Sequence, residues 1–123
     1  MKNLAILLTA LLFSMTGNAG TDTLECNYET YSSQDGNQKL KDEFKLTFII
    51  DTDKDTSYML GNNGSTKVTL IPTKNGLSFI EITGAGNVMT TAMDRKYSSV
   101  HSRNSIIAGE LLPSQYYGKC IFK

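Results

Sequence analysis

The sequence predicts an all-β domain: an antiparallel meander of about eight strands, closed or nearly closed into a barrel, with a β-sandwich as the alternative. Three observations carry this. Turn signals rich in Gly, Asn and Asp recur about every ten residues, the spacing of short strands. The runs between them alternate apolar and polar side chains. Two cysteines, Cys26 and Cys120, stand at opposite ends of this β-rich stretch. A bridge between them brings their Cα atoms within about 7 Å and makes the first and last strands neighbours. A meander whose ends meet is most simply a barrel.

The first strand holds Leu24, Cys26 and Tyr28 on one face, and Gln34-Asp35-Gly36-Asn37 breaks it. The clearest strand is Phe44 to Ile50, with Phe44, Leu46, Phe48 and Ile50 on one face and Lys45 and Thr47 on the other. A polar loop over Asp51 to Asp55 precedes a short strand, Ser57 to Leu60. Gly61-Asn62-Asn63-Gly64 leads to Lys67–Ile71, and Pro72 to Gly76 leads to Leu77–Thr83. Both Asn-Gly pairs suit hairpin turns, which need positive φ. Gly84 to Asn87 turns the chain into Val88–Met93. Tyr97–Arg103, Ser105–Ala108 and Tyr116–Phe122 complete the set, with Glu110–Gln115 read as a connection marked by Pro113.

Ahead of this domain the chain reads as an export signal. Met1-Lys2-Asn3 is a short positive start of the bacterial kind, Leu4 to Phe13 is almost wholly apolar, and Gly17-Asn18-Ala19 offers a small-residue cleavage site. The expected division is 1–19 as signal peptide and 20–123 as one domain, working in the periplasm or outside the cell. Leu24-Glu25 before Cys26 lacks the small residue of a lipid-anchor site, and no later apolar run approaches the roughly 20 residues of a membrane span. Exported cysteines usually pair. The chain carries 12 Lys and Arg against 12 Asp and Glu, so overall charge argues for neither nucleic acid nor an anionic membrane. The last thirty or so residues lean basic through Arg95, Lys96, Arg103, Lys119 and Lys123. Pairing of these last strands with the more acidic first ones would mix the charges.

Four groups of residues are candidates for chemistry. Asp51, Asp53 and Asp55 open like a calcium loop, but Thr56 and Asn62 stand where an EF-hand needs Gly and Glu, which leaves a solvated turn or a looser ion site. His101 is the only histidine. As a general base it needs an orienting carboxylate and a nucleophile; Ser99, Ser102 and Ser114 are near in sequence, none in a nucleophile elbow. Glu81 shares a strand face with Phe79. If that face is the core, Glu81 needs a partner, for which Arg103 and His101 are the candidates. Tyr116 and Tyr117 are adjacent on a strand, so they face opposite sides; one serves the core and the other a surface or a partner. No cofactor motif stands in the chain.

Val100-His101-Ser102-Arg103 and the stretch from Gly109 to Cys120, with Pro113-Ser114-Gln115-Tyr116-Tyr117-Gly118 at its centre, resemble a signature of small exported bacterial β-domain proteins of unassigned function. Gly61 to Gly64 and Phe79 to Thr83 are similar to the same pattern, which would span most of the domain. A weaker resemblance, in size, compartment and terminal disulfide, is to periplasmic C-type lysozyme inhibitors, which are small antiparallel barrels. Their inhibitory motifs, Ser-Gly-x-x-Tyr and Tyr-x-x-x-Thr-Lys-Gly, are absent.

The resulting expectation is an exported, non-enzymatic binding protein. Its partner would be another exported or periplasmic protein that it inhibits or neutralises, contacted through Tyr116, Tyr117 and Arg103. The alternative is a barrel that binds a small molecule or ion through Glu81, His101 and Arg103. A hydrolase using His101 ranks last.

Overall fold

The structure is a computed structural model and describes residues 20–61 and 64–123. The signal expected over 1–19 lies outside the described residues. Eight strands run in order: β1 (Thr21–Ser33), β2 (Gly36–Asp51), β3 (Thr56–Gly61), β4 (Gly64–Thr73), β5 (Gly76–Ile82), β6 (Val88–Asp94), β7 (Ser98–Ile107) and β8 (Glu110–Phe122). Each pairs antiparallel with the next, and β8 returns to β1 to close the barrel. Cys26 lies directly opposite Cys120 across that seam, and the two form a disulfide with Cα atoms 3.9 Å apart.

Alternation decides what fills the interior. Leu24, Cys26, Leu46, Phe48, Val68 and Phe79 are buried in one cluster with Cys120. Phe48 and Phe79 stack face to face, ring centres 4.0 Å apart. An eight-stranded barrel has room for packed side chains or for one small ligand. Here the apolar filling occupies the middle and the end that carries the chain termini. On the outer face, Glu25 of β1 pairs with Lys45 of β2 and with Lys123 beyond β8. The basic end of the chain thus lies against the first strand, and these lysines, Lys123 foremost, hold the Glu25 carboxyl below its usual range.

Three details depart from the sequence reading. The stretches read as Tyr97–Arg103 and Ser105–Ala108 merge, less their end residues Tyr97 and Ala108, into one strand, β7, because Asn104 stays in register opposite Val88 and Pro113. Glu110–Gln115 is strand rather than connection. The chain reverses over Ala108 and Gly109, both at positive φ, and β8 begins at once. Pro113 is tolerated because the ladder on its β1 side stops at Ser114, which leaves it a free edge. The first strand continues past Tyr28 to Ser33 through a bulge at Glu29, and the bulge turns Tyr31 rather than Thr30 toward Tyr116.

Candidate functional site

The opposite end of the barrel is not filled. It is a cup of about 380 Å³ lined by residues that include Phe44, Leu46, Met59, Thr66, Glu81, Met89, His101 and Arg103. It lies at the end carrying the β3–β4, β5–β6 and β7–β8 turns. Two glycines, Gly61 and Gly64, form part of its wall and keep it wide. Its volume falls at the lower end of the range for small-molecule sites, about 300–1,000 Å³.

Three adjacent strands carry its polar row. Glu81 on β5 is opposite Met89 on β6, and Met89 is opposite Arg103 on β7. Two strand spacings therefore separate the Glu81 and Arg103 backbones, about 10 Å. Glu81 does share the inner face with buried Phe79, but it meets neither partner that the sequence suggested. Its Oε1 is shielded from solvent and finds no hydrogen-bond partner. Among the described residues the ion pairs are those of Glu25, and none joins Glu81 to Arg103.

Arg103 is held in place by aromatic rings and by histidine. Its guanidinium carbon sits 5.2 Å from the centre of the Phe44 ring and 5.3 Å from that of Tyr116. Cation–π attraction of this kind fixes the plane of the group while leaving its outer N–H groups available. Its Nε–H donates to His101 Nε2 at 3.4 Å. That bond uses the Nε2 lone pair, so the ring proton belongs on Nδ1, which lies 2.7 Å from Thr91 Oγ1 and donates to it. His101 is only 1 % exposed. Burial, with the Arg103 charge added, lowers its pKa from the ordinary 6.5 to about 4 and keeps it neutral at pH 7. Beside it, Tyr28 bonds Ser99 Oγ at 2.8 Å, and burial raises the Tyr28 pKa to about 12.

The cup presents one carboxylate, Glu81, and one guanidinium, Arg103, while His101 is tied into the wall. A general base needs a free lone pair facing a nucleophile or a water, and both ring nitrogens of His101 are committed within the wall. Tyr116 faces inward, stacked on Tyr31 and against Phe44. Tyr117 faces outward at the barrel surface, where its hydroxyl donates to Gln115 Oε1. The two tyrosines therefore do not form one patch. In the β2–β3 turn, Asp51 Oδ1 accepts the N–H groups of Asp53 and Lys54. Asp51, Asp53 and Asp55 lie in or beside this turn, and among the described residues no three His, Cys, Asp or Glu side chains gather as metal ligands.

Phe44, Met59 and Met89 line the cup and Thr91 bonds His101 in its wall, and none of the four was among the sequence candidates. The alternation that placed Phe44 inward was a sufficient signal for it. Thr91 carried one too, since it alternates with Met89 and Met93. Among the described residues no helix is long and apolar enough to cross a membrane. The chain matches no protein-family model, and a search of curated proteins likewise finds no match.

Proposed function

We propose that this protein is an exported, non-enzymatic barrel that binds a small molecule in its open end. The reading rests on one observation above all. The Glu81 carboxylate has a solvent-shielded, unpartnered oxygen in the wall of a cup that also presents Arg103. A buried polar atom left without a bond costs roughly 1–3 kcal/mol, more when it is charged. A ligand that donates a hydrogen bond to this oxygen removes that cost. The Cys26–Cys120 disulfide supports an oxidising compartment, the periplasm or the exterior.

The test is a thermal-shift screen of the oxidised protein against metals, sugars, lipids, amines, carboxylates and zwitterions, with Gly61→Leu as control. Gly61 has ordinary backbone geometry, and a Cβ there meets only Leu46 at 3.6 Å, so a larger side chain fills the cup without breaking the wall. The expected outcome is stabilisation by one ligand class that Gly61→Leu abolishes while remaining folded. A flat response across all classes overturns the reading.

A protein partner is the second reading, and a different surface favours it. Ile82, Val88, Ile106 and Leu111 are exposed on the β5–β6 and β7–β8 hairpins beside the same opening. Capture of an exported protein that Ile106→Lys and Leu111→Lys release would carry it.

A further inference from the structure

We infer that the ligand of the cup is a small zwitterion, with an ammonium that meets Glu81, a carboxylate that meets Arg103, and a short apolar body between them. The inference rests on the binding reading above and adds the ligand's charge pattern.

The row Glu81–Met89–Arg103 sets a carboxylate and a guanidinium on one wall, two strands apart, with a methionine between. They do not pair with each other, and His101 between Arg103 and Thr91 is neutral, so the cup has no net charge. A simple anion satisfies Arg103 but leaves the shielded Glu81 oxygen unpaired and close to a second negative charge. A simple amine satisfies Glu81 and faces Arg103 in the same way. A neutral sugar or alcohol leaves both charges uncompensated in a partly desolvated site, an arrangement that removes more than it returns. A divalent cation would find a single carboxylate beside a fixed positive group. A zwitterion satisfies both ends.

The details of each end agree. Phe44 and Tyr116 hold the Arg103 plane, and its Nε is engaged by His101. What remains is the terminal pair of Nη groups, which grips a carboxylate end-on through two parallel N–H···O bonds. Glu81 offers an acceptor and no donor, which selects an N–H⁺ group. Met89 lies between the two, with Leu46 and Met59 elsewhere in the lining, and these accept methylene or methyl groups.

Four compounds of the same carbon count separate the possibilities: norleucine and ε-aminocaproate, zwitterions with near and far charges, and hexanoate and hexylamine, each with one charge. Isothermal titration of the oxidised protein at neutral pH is expected to show at least one zwitterion binding about tenfold or more tightly than either single-charge compound, the worth of one charge-assisted bond. Glu81→Gln, which preserves shape, is expected to reduce the zwitterion to the affinity of hexanoate, and Arg103→Gln to that of hexylamine. If Arg103→Gln fails to fold, Glu81→Gln decides alone. Hexanoate or hexylamine binding as tightly as both zwitterions overturns the inference. So does binding of none of the four when another class gives a stabilisation that Gly61→Leu removes; the cup then stands as a binding site and its charge pattern is wrong. Silence from every class overturns the inference and the binding reading together.

Discussion

His101 shows how one buried side chain links the cup to the stability of the barrel. In the native state Nδ1–H is donated to Thr91 and Nε2 accepts from Arg103, so no lone pair is left for a second proton. Its pKa lies at about 4, against 6.5 for a free histidine. Between those values the unfolded chain binds a proton that the native state refuses. Stability therefore rises with pH across this window, is complete above about 6.5, and declines as pH falls toward 4. The loss expected between pH 6.5 and about 5 is about 2 kcal/mol. That interval lies above most carboxylate titrations. His101→Asn keeps a donor for Thr91 and cannot be protonated. Urea denaturation at several pH values is expected to show a flatter profile for this variant than for the parent; equal slopes would remove His101 as the cause. At this scale the sequence was partly legible. A lone strand histidine sharing a face with Arg103 reads as an exposed or hydrogen-bonded group, and the structure makes it buried and hydrogen-bonded. Its burial and tautomer depend on Thr91, which β6 supplies, and on Arg103 two residues along.

Strands were legible where period-two alternation met a strong turn signal, and obscure where either failed. Phe44 to Phe48 alternates without interruption, so the inward face of β2 was plain. The β7–β8 hairpin was hidden because it turns over Ala108 at φ 53, a conformation usually held by Gly or Asn, and because Pro113 resembles a strand terminator. Glu81, His101 and Arg103 were grouped from the sequence, but the two-strand separation of Glu81 from Arg103 was hidden for another reason. It needs the register of three strands at once, and each register depends on hairpin geometry as well as on pattern. The bulge at Glu29 left no mark in the sequence either, and it begins beside a close backbone approach in the β1–β8 seam. Tyr28 is opposite Gly118, and a Cβ on Gly118 would overlap the carbonyl of Asn27 and the Tyr28 Cα. Those are backbone atoms, so a side chain at this position forces the seam apart. Gly118→Ala is expected to cost about 3 kcal/mol, the upper range for overpacking. Thermal unfolding measures it, and a loss below about 1 kcal/mol would mean that the seam yields freely.

For the whole molecule, the question is what keeps a barrel with an unfilled end closed. Two devices act on the same seam. The β1–β8 ladder runs from Leu24 opposite Phe122 to Ser33 opposite Ser114, and the Cys26–Cys120 bond joins residues 94 apart in sequence within it. The ladder acts in the native state. The disulfide acts chiefly on the unfolded chain, which it confines to a loop of almost the entire domain, at about 4–5 kcal/mol in the chain-entropy account. Against a typical domain stability of about 5–15 kcal/mol, that contribution separates a secure fold from a marginal one, particularly where part of the interior is unfilled. Replacing both cysteines by alanine tests this cleanly, because the pair is at most 1 % exposed and serine would bury two hydroxyls. The expected result is a barrel with native circular dichroism and a urea midpoint lowered by an amount equivalent to about 4 kcal/mol. The dependence on urea should also be steeper, since an unconfined chain exposes more surface on unfolding. The two readings together distinguish the causes. A lowered midpoint with an unchanged slope places the loss in native packing around the sulfurs. No change in either shows that the β1–β8 ladder closes the barrel by itself and that the covalent link adds nothing to equilibrium stability.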